Sequence, residues 1–157
     1  MSDIETAVWL PTLKGKKFYP GQEQAFKKEM IQKSRNSGLT VFEIENEEKE
    51  PGFPDSEELY ILKGSTLIEQ AGLGIGGIAL VGLTFVEYKV SNEKGLIEFE
   101  PKQPLFYRKH ATLPIVVRAW SVPDQLGFEY QAYSVLKRLI IRQDGSIWFN
   151  VRGGFLE

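Results

Sequence analysis

Cysteine is absent from this 157-residue chain, and histidine occurs once, at position 110. Disulfides, thiolate zinc sites and cysteine nucleophiles are therefore excluded. A metal site needs several ligands, and a lone histidine beside Arg108 and Lys109 does not supply them. The lack of cysteine fits a reducing compartment. The first residues also lack the basic-then-apolar pattern of a signal segment, so the expected location is cytoplasmic.

An excess of one charge is also missing. Nineteen Lys and Arg stand against twenty-one Asp and Glu. No basic stripe argues for nucleic acid. The longest uncharged run, residues 70–86, is shorter than the ~20 residues of a spanning helix, so no membrane span is expected. Charge is nonetheless unevenly placed. Residues 1–37 are mildly basic, residues 38–62 carry eight acids and one lysine, and the remainder is mildly basic again. The acidic part centres on a proline-containing loop expected at residues 46–58.

What the chain does have is aromatic and β-branched residues in quantity, and one stretch that organises the rest. Residues 71–86 carry no charge and five glycines. Gly72, Gly74 and Gly77 satisfy G-x-G-x-x-G, but no strand clearly precedes them and no helix follows. Nothing acidic stands where a ribose ligand belongs. The stretch reads instead as a glycine-lined turn feeding a buried strand over residues 78–90. Leu83 and Phe85 then lie on one face, and Val86, Tyr88 and Val90 on the other.

One helix is expected, over residues 21–37, with Glu23 in its first turn, Lys33 and Arg35 in its last, and Gly38 closing it. Ala25, Phe26, Met30 and Ile31 form its apolar stripe. Strands are expected at 39–45, 59–62, 96–100 and 114–122. A hairpin loop at 91–95 joins the central strand to its successor, and residues 105–109 read as a short extended piece. Residues 128–142 admit either a helix or a strand, and strand is preferred because Gly127 opens the segment and a hairpin follows. Asp144-Gly145 signals a two-residue type I′ turn. That turn sets Ile141 opposite Trp148 and Ile140 opposite Phe149.

These elements describe one domain over residues 1–157. The expected class is α+β and mostly antiparallel, with a bent meander sheet or partly closed small barrel and one N-terminal helix packed on it.

No motif names an activity. A single histidine, no cysteine and no spaced carboxylate pair give little support to an enzyme, and no cofactor is implied. The first expected role is a non-enzymatic interaction or structural subunit of a larger assembly, with a protein partner or a second copy. Trp9, Phe53 and Phe155 are its candidate anchors, being large apolar groups in polar or terminal segments. The alternative is a carrier of a small apolar or carboxylate ligand inside a barrel. Arg118, Arg138 and Arg142 would then meet a carboxylate, and Trp120, Tyr130 and Trp148 would line the cavity.

Overall fold

The structure is a computed structural model that describes residues 7–8, 13, 15–44, 50–63 and 78–151. The glycine motif at 72–77, Trp9 and Phe155 lie outside the described residues.

The fold is α+β. In chain order the strands are β1 (Ala7–Val8), β2 (Thr40–Glu43), β3 (Ser56–Lys63), β4 (Ile78–Val90), β5 (Leu96–Phe99), β6 (Ile115–Ser121), β7 (Leu126–Gln131), β8 (Ile140–Ile141) and β9 (Ile147–Asn150). The helices are α1 (Glu23–Asn36), α2 (Lys102–Lys109) and α3 (Ala132–Lys137). Six strands form an open mixed sheet in the order β1-β7-β6-β4-β3-β2, and three form a small antiparallel sheet, β5-β9-β8. Among the described residues the sheets do not close into a barrel.

The central strand runs over the expected residues, and its alternation gives each face of the large sheet a core. Val86, Tyr88 and Val90 join Val116 and Trp120 beneath Phe26, Met30 and Ile31 of α1. Phe85 joins Ile115, Val117 and Ala119 beneath α2, α3 and the small sheet. Both faces being covered explains why β4 and β6 are apolar with little interruption. Gly82 sits where the β3–β4 register shifts, opposite Tyr60, as a strand glycine at a bulge does.

Helix α1 ends as expected, with Gly38 at φ +97. Its buried stripe is Phe26, Met30, Ile31 and Ser34, while Ala25 is exposed. Ahead of the helix, the Gln125 side-chain amide donates to the Phe18 carbonyl at 2.8 Å and accepts from the Phe18 N–H at 3.1 Å. That pair seats Phe18 against Trp120, their ring centroids 5.0 Å apart.

Several expectations are corrected. The sheet is not a simple meander, because β4 pairs with β6 in parallel, and a parallel pair needs a crossover. The turn at 91–95 begins that crossover: β5 leaves the large sheet and pairs with β9. Residues 102–109 are helical, not extended. Pro101 caps the helix and Pro104 falls in its first turn, where a missing N–H costs nothing. The segment at 126–141 is a strand, a helical turn and a second strand in succession. The acidic loop ends at Asp55, since Glu57 and Glu58 belong to β3.

The last hairpin is shifted by one residue. Ile141 pairs with Ile147 and Ile140 with Trp148. A type I′ turn needs positive φ at both central residues. Gly145 has it at +88, but among the described non-glycine residues only Gln125 does. Arg142 N–H donates to Ser146 C=O at 3.0 Å and Gly145 N–H to Arg142 C=O at 2.9 Å. This is a three-residue loop with a glycine bulge. Asp144 Oδ1 accepts from Ser146 N and Oγ, and those bonds hold its carboxyl below the usual range.

Candidate functional site

Each face of the large sheet buries a polar network against β4. Under α1, Arg118 of β6 reaches across β4 to Glu58 of β3. Its Nη1 donates to Glu58 Oε2 at 2.5 Å and its Nη2 to Oε1 at 2.9 Å. Its Nε donates to Glu129 Oε1 at 2.8 Å, the register partner on β7. Ser34 of α1 completes the group by donating to Glu58 Oε2 at 2.8 Å. Arg118 Nη1 also reaches the Tyr88 hydroxyl at 3.4 Å. Burial works against the guanidinium charge, but the Glu58 hydrogen bonds and nearby groups raise its pKa overall. Burial also raises the Tyr88 phenol. The arrangement is a closed structural lock, with the arginine held as a bidentate clamp.

The opposite face holds Lys89, Gln103 and Glu87. Lys89 Nζ donates to the Glu98 carbonyl and to Gln103 Oε1, both at 3.1 Å, and Gln103 Nε2 donates to Glu87 Oε2 at 3.1 Å. The buried Tyr107 hydroxyl has its pKa pushed well up, first by burial and then by the negative field of Glu87 and Asp55. Above this network the 50–55 segment lies against α2. Gly52 approaches so closely that a Cβ there would collide with the Lys102 carbonyl oxygen. Between them runs a groove of about 360 Å³ lined by Glu50, Asp55, Glu100, Lys102 and Gln103. Glu50 closes the far end onto α2. It accepts from Lys109 Nζ at 2.9 Å and sits 3.2 Å from His110 Nε2. The His110 ring lies 4.3 Å from that of Phe106.

The residues singled out from the sequence are dispersed. The Phe53 ring packs edge-on against Phe85 and Phe106, at 5.2 and 5.0 Å, so it faces its own core. Arg118 and Trp120 are buried on the α1 side of the large sheet. Tyr130 belongs to the core on the other side, donating its hydroxyl to the Val151 carbonyl. Arg138 lies over Tyr130 and Phe149, and Arg142 over Trp148. The six do not converge on one cavity.

The polar networks themselves were not foreseen. The available signal was charge on inward positions: Glu87 and Lys89 in the uniformly covered β4, and Arg118 between Val116 and Trp120. Sequence spacing does not reveal their partners. Among the described residues, no group of three or more His, Asp or Glu is placed to hold a metal ion, and no described helix is long and apolar enough to cross a membrane.

The surface carries another kind of feature. Phe42 on β2 and Tyr60 on β3 are about half exposed, at 53% and 52%, and Ile141 on β8 is 68% exposed. Among the described strands, β2 ends the large sheet and β8 ends the small one. Comparison with protein-family models and with curated proteins finds no match.

Proposed function

We propose that the protein is a non-enzymatic interaction subunit that joins a larger protein assembly through the borders of its sheets. The observation that supports this is the exposure of Phe42, Tyr60 and Ile141 on or beside border strands. A strand at a sheet edge offers backbone groups for pairing, and large apolar side chains beside them are the groups that anchor interfaces. The buried charges are occupied in holding the fold, with Arg118 clamped on Glu58. The experiment is native mass spectrometry of the protein from its own source, with Phe42→Asp and Ile141→Asp variants alongside. The expected result is a mass above that of one chain which one variant or both abolish while the fold is retained. A bare single chain at all concentrations overturns the proposal.

A further inference from the structure

We infer that Lys89 and Gln103 condense into an intramolecular amide cross-link, with Glu87 carrying the protons. The three side chains lie together against the large sheet, each residue less than a tenth exposed. Glu87 and Lys89 stand two apart on β4, so they leave the same face of the strand. Gln103 comes to them from the first turn of α2. Its carboxamide is held in one orientation. Oε1 accepts from Lys89 Nζ at 3.1 Å and from the Glu100 N–H at 2.9 Å, while Nε2 donates to Glu87 Oε2 at 3.1 Å. The reverse orientation would set the NH2 group against two donors and the oxygen against a carboxylate. Lys89 Nζ is placed as well, by the Glu98 carbonyl at 3.1 Å and by the Phe99 ring, whose centroid is 5.1 Å away.

Each contact has a place in acyl transfer. Lys89 Nζ is the nucleophile, and the carbon it attacks, Gln103 Cδ, is one C=O bond of ~1.2 Å from the oxygen it already touches. A partner held at that range replaces a chance encounter. The negative charge that develops on Oε1 faces the Glu100 N–H. The leaving nitrogen faces the carboxyl group that protonates it. In the reaction the Nζ–Cδ bond forms and the Cδ–Nε2 bond breaks. Two protons leave the Lys89 ammonium, pass through Glu87 and end on Nε2, which departs as ammonium. Glu87 returns to its carboxylate form, and nothing is oxidised or reduced. Burial keeps water from competing for Cδ. Gln103 also borders the groove beside Asp55, which gives the ammonium a way out, and its loss to solvent draws the reaction forward.

The test is mass spectrometry of the full chain, intact and after trypsin, sampled over days at neutral and alkaline pH. The expected result is a species lighter by one ammonia, in which trypsin no longer cuts after Lys89 and a branched peptide joins residues 89 and 103. Alkaline pH supplies the neutral amine and should speed its formation. Glu87→Gln is expected to slow formation by about 100-fold or more. Lys89→Arg keeps a cation in place and should abolish it. Circular dichroism checks that each variant is folded, and the wild-type mass decides the matter without any variant. A chain that keeps its full mass overturns the inference. So does an ammonia loss that maps to another pair or to an asparagine, or an unchanged rate in folded Glu87→Gln.

Discussion

Glu58 and Arg118, sixty positions apart in sequence, meet as a two-pronged ion pair across the central strand, with both side chains less than a tenth exposed. Breaking one half leaves the other buried and uncompensated. Arg118→Met is expected to destabilise the fold by about 3–5 kcal/mol, and Glu58→Leu/Arg118→Met by distinctly less. Urea denaturation followed by circular dichroism measures both. A double variant as damaged as the single one would show that side-chain packing, not charge, dominates the site. Ser34→Ala removes the hydroxyl that donates to Glu58 and is expected to cost about 1.5–3 kcal/mol.

Two glycines with almost the same backbone conformation should respond differently to alanine. Gly52 and Gly145 have φ of +87 and +88, but a Cβ at Gly52 collides with the Lys102 carbonyl while at Gly145 it meets nothing within 4 Å. Gly145→Ala is expected to cost about 1–2 kcal/mol, the left-handed penalty alone. Gly52→Ala adds a backbone clash and should exceed it by at least about 1 kcal/mol. Thermal unfolding of the two variants in parallel measures the difference.

Tyr107 and Tyr130 make a second contrasting pair. The Tyr107 hydroxyl is buried with no hydrogen-bond partner among the described residues, whereas that of Tyr130 donates to Val151 C=O. Tyr107→Phe is expected to leave the melting temperature unchanged or raised. Tyr130→Phe should lose about 1 kcal/mol by orphaning a carbonyl. A clear loss in the first variant would mean that the hydroxyl is bonded in solution.

Glu50 sets an acid-side dependence. The hydrogen bond from Lys109, and then that with His110, lower its carboxyl pKa. The unfolded chain therefore takes up the proton first as pH falls. The stabilising contribution is full above the ordinary carboxylate value and is lost as pH falls through the lowered folded value. Wild type should be more stable than Glu50→Gln near neutrality, and the gap should close in acid. Chemical denaturation at several pH values measures it, and a gap that does not narrow would remove Glu50 as its source.

The elements recovered from sequence are those with an unambiguous local period or breaker. Helix α1 ends at Asn36 just before Gly38, β4 runs from Ile78 to Val90, and β6 places Val116 and Trp120 on one face and Ile115 and Val117 on the other. Apart from the last hairpin, where the turn brings β8 and β9 together, local signals gave no access to which strands pair. Leu96 follows β4 closely, yet tertiary packing sends it to Asn150. Residues 105–109 read as extended, yet they are helical, because Pro104 falls in the first turn, where a helix tolerates it. Asp144-Gly145 located the last turn without fixing its register, since that depends on the φ of Asp144.

The pairing of β5 with β9 also bears on how the chain folds as it leaves the ribosome. Helix α1 and strands β2 to β4 can begin to pack early. Strand β5 emerges soon afterwards, yet its ladder partner is among the last described residues. Its apolar face, with Ile97 and Phe99, must wait for Phe149. Until then the chain carries an unpaired strand, the kind of intermediate that chaperones shield. A chain that stops before residue 147 would leave that strand permanently without its partner.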